Sequence, residues 1–203
     1  LANVINPSGF QPIRTVSGSP YTGGGNMYYI PASDGSAYYI GDLVTTVAGA
    51  DANGVPQIGK AASAATRLRG AIVGVYVVPP NGPTSLNGAA LPLELISIPA
   101  SKSKDYYVLV ADDPELLFEA QDDGTTNLGA SAANKNIDFT VATPSGNGQI
   151  SASVLKNSTV ATTSTLPLKL IGLKQVTNNQ LTNYARWVVK INVHELGGQT
   201  AGA

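Results

Sequence analysis

The residues best placed to do chemistry are six carboxylates, Asp112, Asp113, Glu115, Glu119, Asp122 and Asp123, gathered in the stretch 106–124 of a chain with 13 acidic residues. Paired carboxylates at short spacing can hold Ca²⁺ or Mg²⁺, or share acid and base roles as in glycoside hydrolysis. The same residues also write turns. Asp112-Asp113-Pro114 stands where the run Val108–Val110 stops, with Pro114 suited to the second turn position, and Asp122-Asp123-Gly124 closes the next apolar run. The alternating oxygen ligands and terminal Glu of an EF-hand loop are missing. Spacing therefore favours two structural turns, and it leaves open whether either Asp pair binds a cation.

His194 is the only histidine. A Ser-His-Asp triad would have to use it, and a histidine-clustered metal site is impossible. It falls at a strand end on the more polar face, beside Glu195, where an exposed residue is expected. The chain has no cysteine, which excludes disulfides, thiolate nucleophiles and Cys-based zinc sites. Gly23-Gly24-Gly25 and Gly146-Asn147-Gly148 lack the spacing and the following helix of a phosphate cradle. Asn157-Ser158-Thr159 matches a glycosylation acceptor, but no export signal accompanies it and the match is taken as chance. Trp187 is expected in the core, with its indole N–H finding a partner there. No catalytic, cofactor-binding or metal-ligating residue is assigned.

The elements that must position these residues are strands. Short β-branched and aromatic runs alternate with Gly, Pro, Asn and Asp, and helical periodicity is almost absent. In 186–194, Trp187, Val189, Ile191 and Val193 line one face. In 166–176 the apolar phase of Leu166, Leu168 and Leu170 shifts at Gly172, as a bulge would shift it. These two segments are expected as antiparallel neighbours. Tyr28-Tyr29-Ile30 and Tyr38-Tyr39-Ile40 flank Asp34-Gly35 and read as a hairpin. The run 71–78 suits a strand buried on both sides. Segments 93–98, 106–110, 116–119, 137–141 and 150–155 complete about ten strands. Only 61–69 could form a helical turn or two. The expected fold is all-β, an antiparallel β-sandwich or distorted β-barrel with an extended N-terminal arm and long loops.

Composition narrows the partners. Of 203 residues only 12% are charged, with a net charge of −1, while Ser, Thr, Asn and Gly supply 70. A typical domain carries about 25% charged residues. Such a surface lacks the clustered basic stripe of a nucleic-acid binder, and Lys102 with Lys104 is too small a patch to supply one. No apolar run is long enough to span a membrane, and no signal-peptide pattern is present, so a soluble protein is expected.

The organisation reads as an extended arm over residues 1–26, a single β-domain over 27–196 and a flexible tail over 197–203. Pro7, Pro12, Pro20 and Gly23-Gly24-Gly25 interrupt regular pairing in the arm, yet Val4, Ile5, Phe10, Ile13 and Val16 give it something to dock. It could lie along a partner or wrap over its own domain. The loop 78–92, with Pro79-Pro80 and Asn81-Gly82-Pro83, is long enough to be functional or mobile.

Several segments in order across nearly the whole chain carry a resemblance: Asn6-Pro7-Ser8-Gly9-Phe10-Gln11-Pro12-Ile13-Arg14, Tyr28-Tyr29-Ile30-Pro31-Ala32, Ile40-Gly41-Asp42-Leu43-Val44, Arg69-Gly70-Ala71-Ile72-Val73-Gly74, Val108-Leu109-Val110-Ala111-Asp112-Asp113-Pro114-Glu115, Leu170-Ile171-Gly172-Leu173 and Trp187-Val188-Val189-Lys190-Ile191-Asn192. Together they resemble a family of small structural proteins of tailed bacteriophages, the head decoration or cement proteins. No catalytic motif comes with that family. The resemblance implies a non-enzymatic protein on the outer surface of the virion's icosahedral capsid, made in the bacterial host cytoplasm. It would bridge neighbouring subunits of the major capsid protein and self-associate as a dimer or trimer, with no direct contact to nucleic acid or membrane. The capsid contacts would then fall in the arm, on Val4, Ile5, Pro7, Phe10, Pro12, Ile13 and Arg14. Other expectations are a minor capsid or tail-tube protein, a carbohydrate-binding or adhesive β-module, and a hydrolase built on the acidic stretch. Against the sugar reading, the tyrosines come in adjacent pairs whose side chains point to opposite faces of a strand.

Overall fold

The alternation around Trp187 is what it promises: Trp187, Val189 and Ile191 are buried on one face of a strand spanning Arg186–Ile191. The fold comes from a computed structural model, which describes residues 3–63, 65–77, 97–145 and 150–197. Among these residues lie thirteen strands: β1 Gln11–Thr15, β2 Asn26–Ile30, β3 Tyr38–Tyr39, β4 Leu43–Ala50, β5 Pro56–Lys60, β6 Gly70–Tyr76, β7 Ser97–Ile98, β8 Tyr106–Ala111, β9 Leu116–Gln121, β10 Asn136–Thr140, β11 Val154–Ala161, β12 Leu168–Leu173 and β13 Arg186–Ile191. One 3₁₀ turn covers Ala130–Ala132. No helix among the described residues is long and apolar enough to cross a membrane. The loop 78–92, most of the strand expected at 93–98, the Gly146–Gly148 segment and the tail from 198 onward lie outside the described residues.

The fold is all-β, and both expected architectures occur in it. Strands β1-β9-β13-β12-β10-β11 make a six-stranded antiparallel sheet, while β2-β5-β4-β6-β8 close a barrel. β12 and β13 are antiparallel neighbours, and their register shifts between Leu170 and Gly172. That is where the apolar phase changes in the sequence. The barrel is filled by Tyr28, Ile30, Val44, Ile58, Ile72, Val108 and Val110. Its outside presents Leu43, Ala61, Leu68, Ala71 and Ala111 to the sheet, whose inner face supplies Phe118, Ile137, Phe139, Leu168, Leu170, Trp187 and Val189. The double burial of β6 follows from this stacking: Ile72 and Val75 point into the barrel while Ala71 faces the sheet.

Three expectations about elements are corrected. Tyr28-Tyr29 and Tyr38-Tyr39 do not pair as a hairpin, although a turn forms at Asp34. β2 lies antiparallel to β8, with Tyr29 opposite Tyr107 and Ile30 opposite Tyr106, and β3 pairs with β7. The tyrosine pair of β8 satisfies β2, and the side chain of Lys102 is inserted at the turn, bonding the carbonyls of Asp34 and Ser36. The described part of 61–69 is not helical, because Leu68 and Arg69 spend their N–H groups on Val193 and Val44 in extended pairing. The strand expected at 150–155 instead runs over Val154–Ala161, with Ile150 bridged to Ile40. β1, β4 and β5 were not anticipated; most of β4 is exposed and carries no alternation.

The N-terminal segment enters the fold earlier than residue 26. Gly9 has φ +65°, and a Cβ there would meet the Gly41 carbonyl oxygen at 2.5 Å. The lack of a Cβ at Gly9 permits this close approach, in which the Phe10 N–H donates to the Gly41 carbonyl at 2.9 Å. Phe10 then inserts fully into the core, edge-on to Phe139 at 5.9 Å between centroids. The next five residues form β1 against β9.

Candidate functional site

The acidic stretch sits where the chain leaves the barrel at β8 and enters the sheet at β9. The Leu116 N–H donates to the Asp113 carbonyl at 3.0 Å, which places Pro114 second in a tight turn, and the Asp113 carboxylate accepts the Glu115 N–H. Asp112 is only 4% exposed. It accepts two bonds from the Asn26 amide, at 2.9 and 3.0 Å, and one from the Tyr28 hydroxyl at 2.5 Å. Arg69 Nε donates to that hydroxyl at 2.7 Å and lies 3.4 Å from the carboxylate. Burial and the adjoining carboxylate push the Tyr28 phenol well above its ordinary value, so it stays a donor.

Asp122 is buried in the same manner at the second turn. Its oxygens accept the N–H groups of Gly124 and Tyr184 and, at 3.4 Å, the indole N–H of Trp187. Burial raises its pKa, against these donors. Among the described residues no group of three or more His, Asp or Glu could hold a metal ion. The buried carboxylates are tied to other chain segments, Asp112 to Asn26, Tyr28 and Arg69, and Asp122 to Tyr184 and Trp187.

His194 is corrected: it is 5% exposed, because residues 193–195 pair with Leu68 rather than running free. Its Nδ1 accepts the Leu196 N–H at 3.0 Å. The proton of the neutral ring therefore belongs on Nε2. Burial, then the Arg69 charge, hold its pKa below 6.5, while Asp112 and Glu195 pull the other way. Asn157 is likewise buried, its amide donating to the Thr126 carbonyl at 2.6 Å, so the acceptor motif presents no free side chain.

The seven arm residues named from the resemblance divide. Phe10 belongs to the core, and Pro12, Ile13 and Arg14 are built into β1. Val4 and Ile5 are 74% and 64% exposed, and Pro7 is half-buried beside them. This short segment is not loose. The Asn3 side chain donates to the carbonyls of Gln180 and Asn183, at 2.8 and 3.1 Å, and accepts the Gln180 N–H at 2.9 Å. The Gln121 amide donates to the Val4 carbonyl and accepts the Asn6 N–H, at 2.9 and 2.8 Å. Ile5 lies between two clefts. One, of about 580 Å³, is walled by Val4, Val176, Asn178, Tyr184 and Arg186. The other, of about 620 Å³, is walled by Pro7, Pro144 and Ile150.

The result is an apolar ridge of Val4 and Ile5, held by amide side chains, with Val176 and Ile150 on the cleft walls beside it, all four side chains being exposed. Val176 and Ile150 were missed, since an exposed apolar residue in a loop carries no local signal. The chain matches no protein-family model, and no curated protein or solved structure matches it.

Proposed function

We propose that this chain is a non-enzymatic structural subunit of a tailed-phage virion, docked on the outside of the capsid and cementing neighbouring major capsid subunits. The observation that carries the reading is the ridge at residues 4–5: large apolar side chains turned to solvent on a backbone fixed by five hydrogen bonds of Asn3 and Gln121. Exposed apolar side chains on a hydrogen-bonded backbone suit a partner that covers them. The ordered resemblance along the chain supplies the identity of that partner, and a rigid β-scaffold suits weak contacts multiplied by symmetry. The test is the double variant Val4→Ser/Ile5→Ser. Both side chains are exposed, so the melting temperature should move by no more than about 2 °C, while cosedimentation with undecorated heads should be lost. Undiminished cosedimentation would remove the ridge, and with it the reading.

A further inference from the structure

The outward face of the six-stranded sheet collects charge that the composition conceals. Residues directly opposite one another on neighbouring strands share a face. Arg14, Leu117, Lys190, Lys169 and Asn136 form one such row from β1 across to β10. Asp138, two residues beyond Asn136, is opposite Lys156. Lys174 and Arg186 reach the same face and both pair with Glu119, at 3.0 and 3.3 Å. Glu115 pairs with Lys190 at 2.7 Å. The face thus holds six of the chain's 12 basic residues against the carboxylates of Glu115 and Glu119 and the buried one of Asp138, in a protein whose net charge is −1.

Two of those cations stand out. Lys169 is directly opposite Lys190, a like-charge pairing that weakens a sheet. Neither Lys169 nor Lys156 has a side-chain hydrogen bond or ion pair among the described residues. The face also runs into the apolar ridge, because Gln121 and Arg186 wall the cleft beside Val4.

We propose that this face docks against an acidic protein surface, with Lys156 and Lys169 meeting carboxylates on the partner. The proposal rests on the capsid reading above and names the chemistry of the surface that the shell presents. A phosphate backbone fits less well. Glu115 and Glu119 interrupt the cations and would repel phosphates, whereas an acidic protein surface can alternate its own charges to match. Phosphates also offer nothing to the adjoining ridge of Val4 and Ile5.

The test uses the full chain with immobilised poly-L-glutamate as the probe. Binding at about 50 mM NaCl should weaken at least about tenfold at about 300 mM, since contacts between exposed charges are screened by salt. Lys156→Gln/Lys169→Gln should bind about fivefold more weakly at low salt, with a melting temperature equal to or above that of the parent. Absence of binding at low salt, or an unchanged affinity in that variant, would overturn the proposal. So would tighter binding to duplex DNA at equal charge concentration, which would assign the face to phosphate. Val4→Ser/Ile5→Ser should retain polyglutamate binding; its loss would place the probe on the ridge and sink the proposal. If the parent protein fails to dock on heads yet binds polyglutamate through Lys156 and Lys169, the capsid reading falls and the acidic-surface proposal stands.

Discussion

Replacing Phe10 by Ala tests whether the N-terminal segment is a detachable arm or part of the domain. Phe10 has no exposed surface and packs between barrel and sheet, in one cluster with Leu43, Leu68, Ile137 and Trp187. Truncating a buried Phe removes its transfer free energy and leaves a cavity, together about 3–5 kcal/mol. Of this, about 0.5–1.5 kcal/mol belongs to the edge-on contact with Phe139. For a chain of this length each kcal/mol lowers the melting temperature by about 2–4 °C, so a fall of about 6–20 °C is expected. Trp187 lies in the same core and reports the transition by fluorescence. In urea the midpoint should drop by about 1–3 M at unchanged slope. Phe10→Leu keeps most of the volume and should lose under about 1.5 kcal/mol. A loss below about 1 kcal/mol for Phe10→Ala would refute the placement and restore an arm that folds independently of the domain.

Two further outcomes follow from the buried polar groups. Asp112→Asn turns an amide toward that of Asn26 and leaves Arg69 without its carboxylate, at a cost of about 3–5 kcal/mol in the same urea melts; Asp113→Asn, on the exposed turn, should cost under about 1 kcal/mol. A hydrolase built on this stretch would instead keep its stability in both variants and lose turnover. For His194 the folded-state pKa lies below the ordinary 6.5, so between those values the unfolded chain binds more protons. Its contribution is intact above 6.5 and lost as pH falls toward the folded pKa. His194→Asn should therefore flatten the fall in melting temperature below pH 6.5, and an unaltered slope would place the titration on another group.

What was legible in the chain is what local chemistry decides. Trp187, Val189 and Ile191 alternate because one face of β13 is buried, and Gly172 breaks phase where β12 is bulged against it. Both are readable within ten residues. The pairing of β2 with β8 is not, since Tyr28-Tyr29 carries the same letters as Tyr38-Tyr39 and only barrel closure selects Tyr106-Tyr107 as the partner. His194 misled for the same reason: at a strand end it looks free, and the strand-like pairing it makes is with the distant Leu68. Lys156, Lys169 and Lys190 belong to three different strands, so their gathering on one face exists only in the assembled sheet.

The acidic stretch looked most like chemistry because a layer crossing is written in the same residues as a site. Between Ala111 in the barrel and Leu116 in the sheet the backbone has left one ladder and not yet joined the next. Its turn must fix itself locally, and Asp113 does so by accepting the Glu115 N–H. The neighbouring Asp112 cannot remain charged inside without donors, and Asn26, Tyr28 and Arg69 converge on it from other segments. Both oxygens of Asp112 are thereby committed to other segments of the chain. Groups with capacity to spare include Val4 and Ile5, which have apolar area without cover, and Lys156 and Lys169, which make no side-chain ion pair among the described residues. Interaction free energy that the fold has not used is available to a partner, and in this chain it lies on the ridge and the outer sheet face.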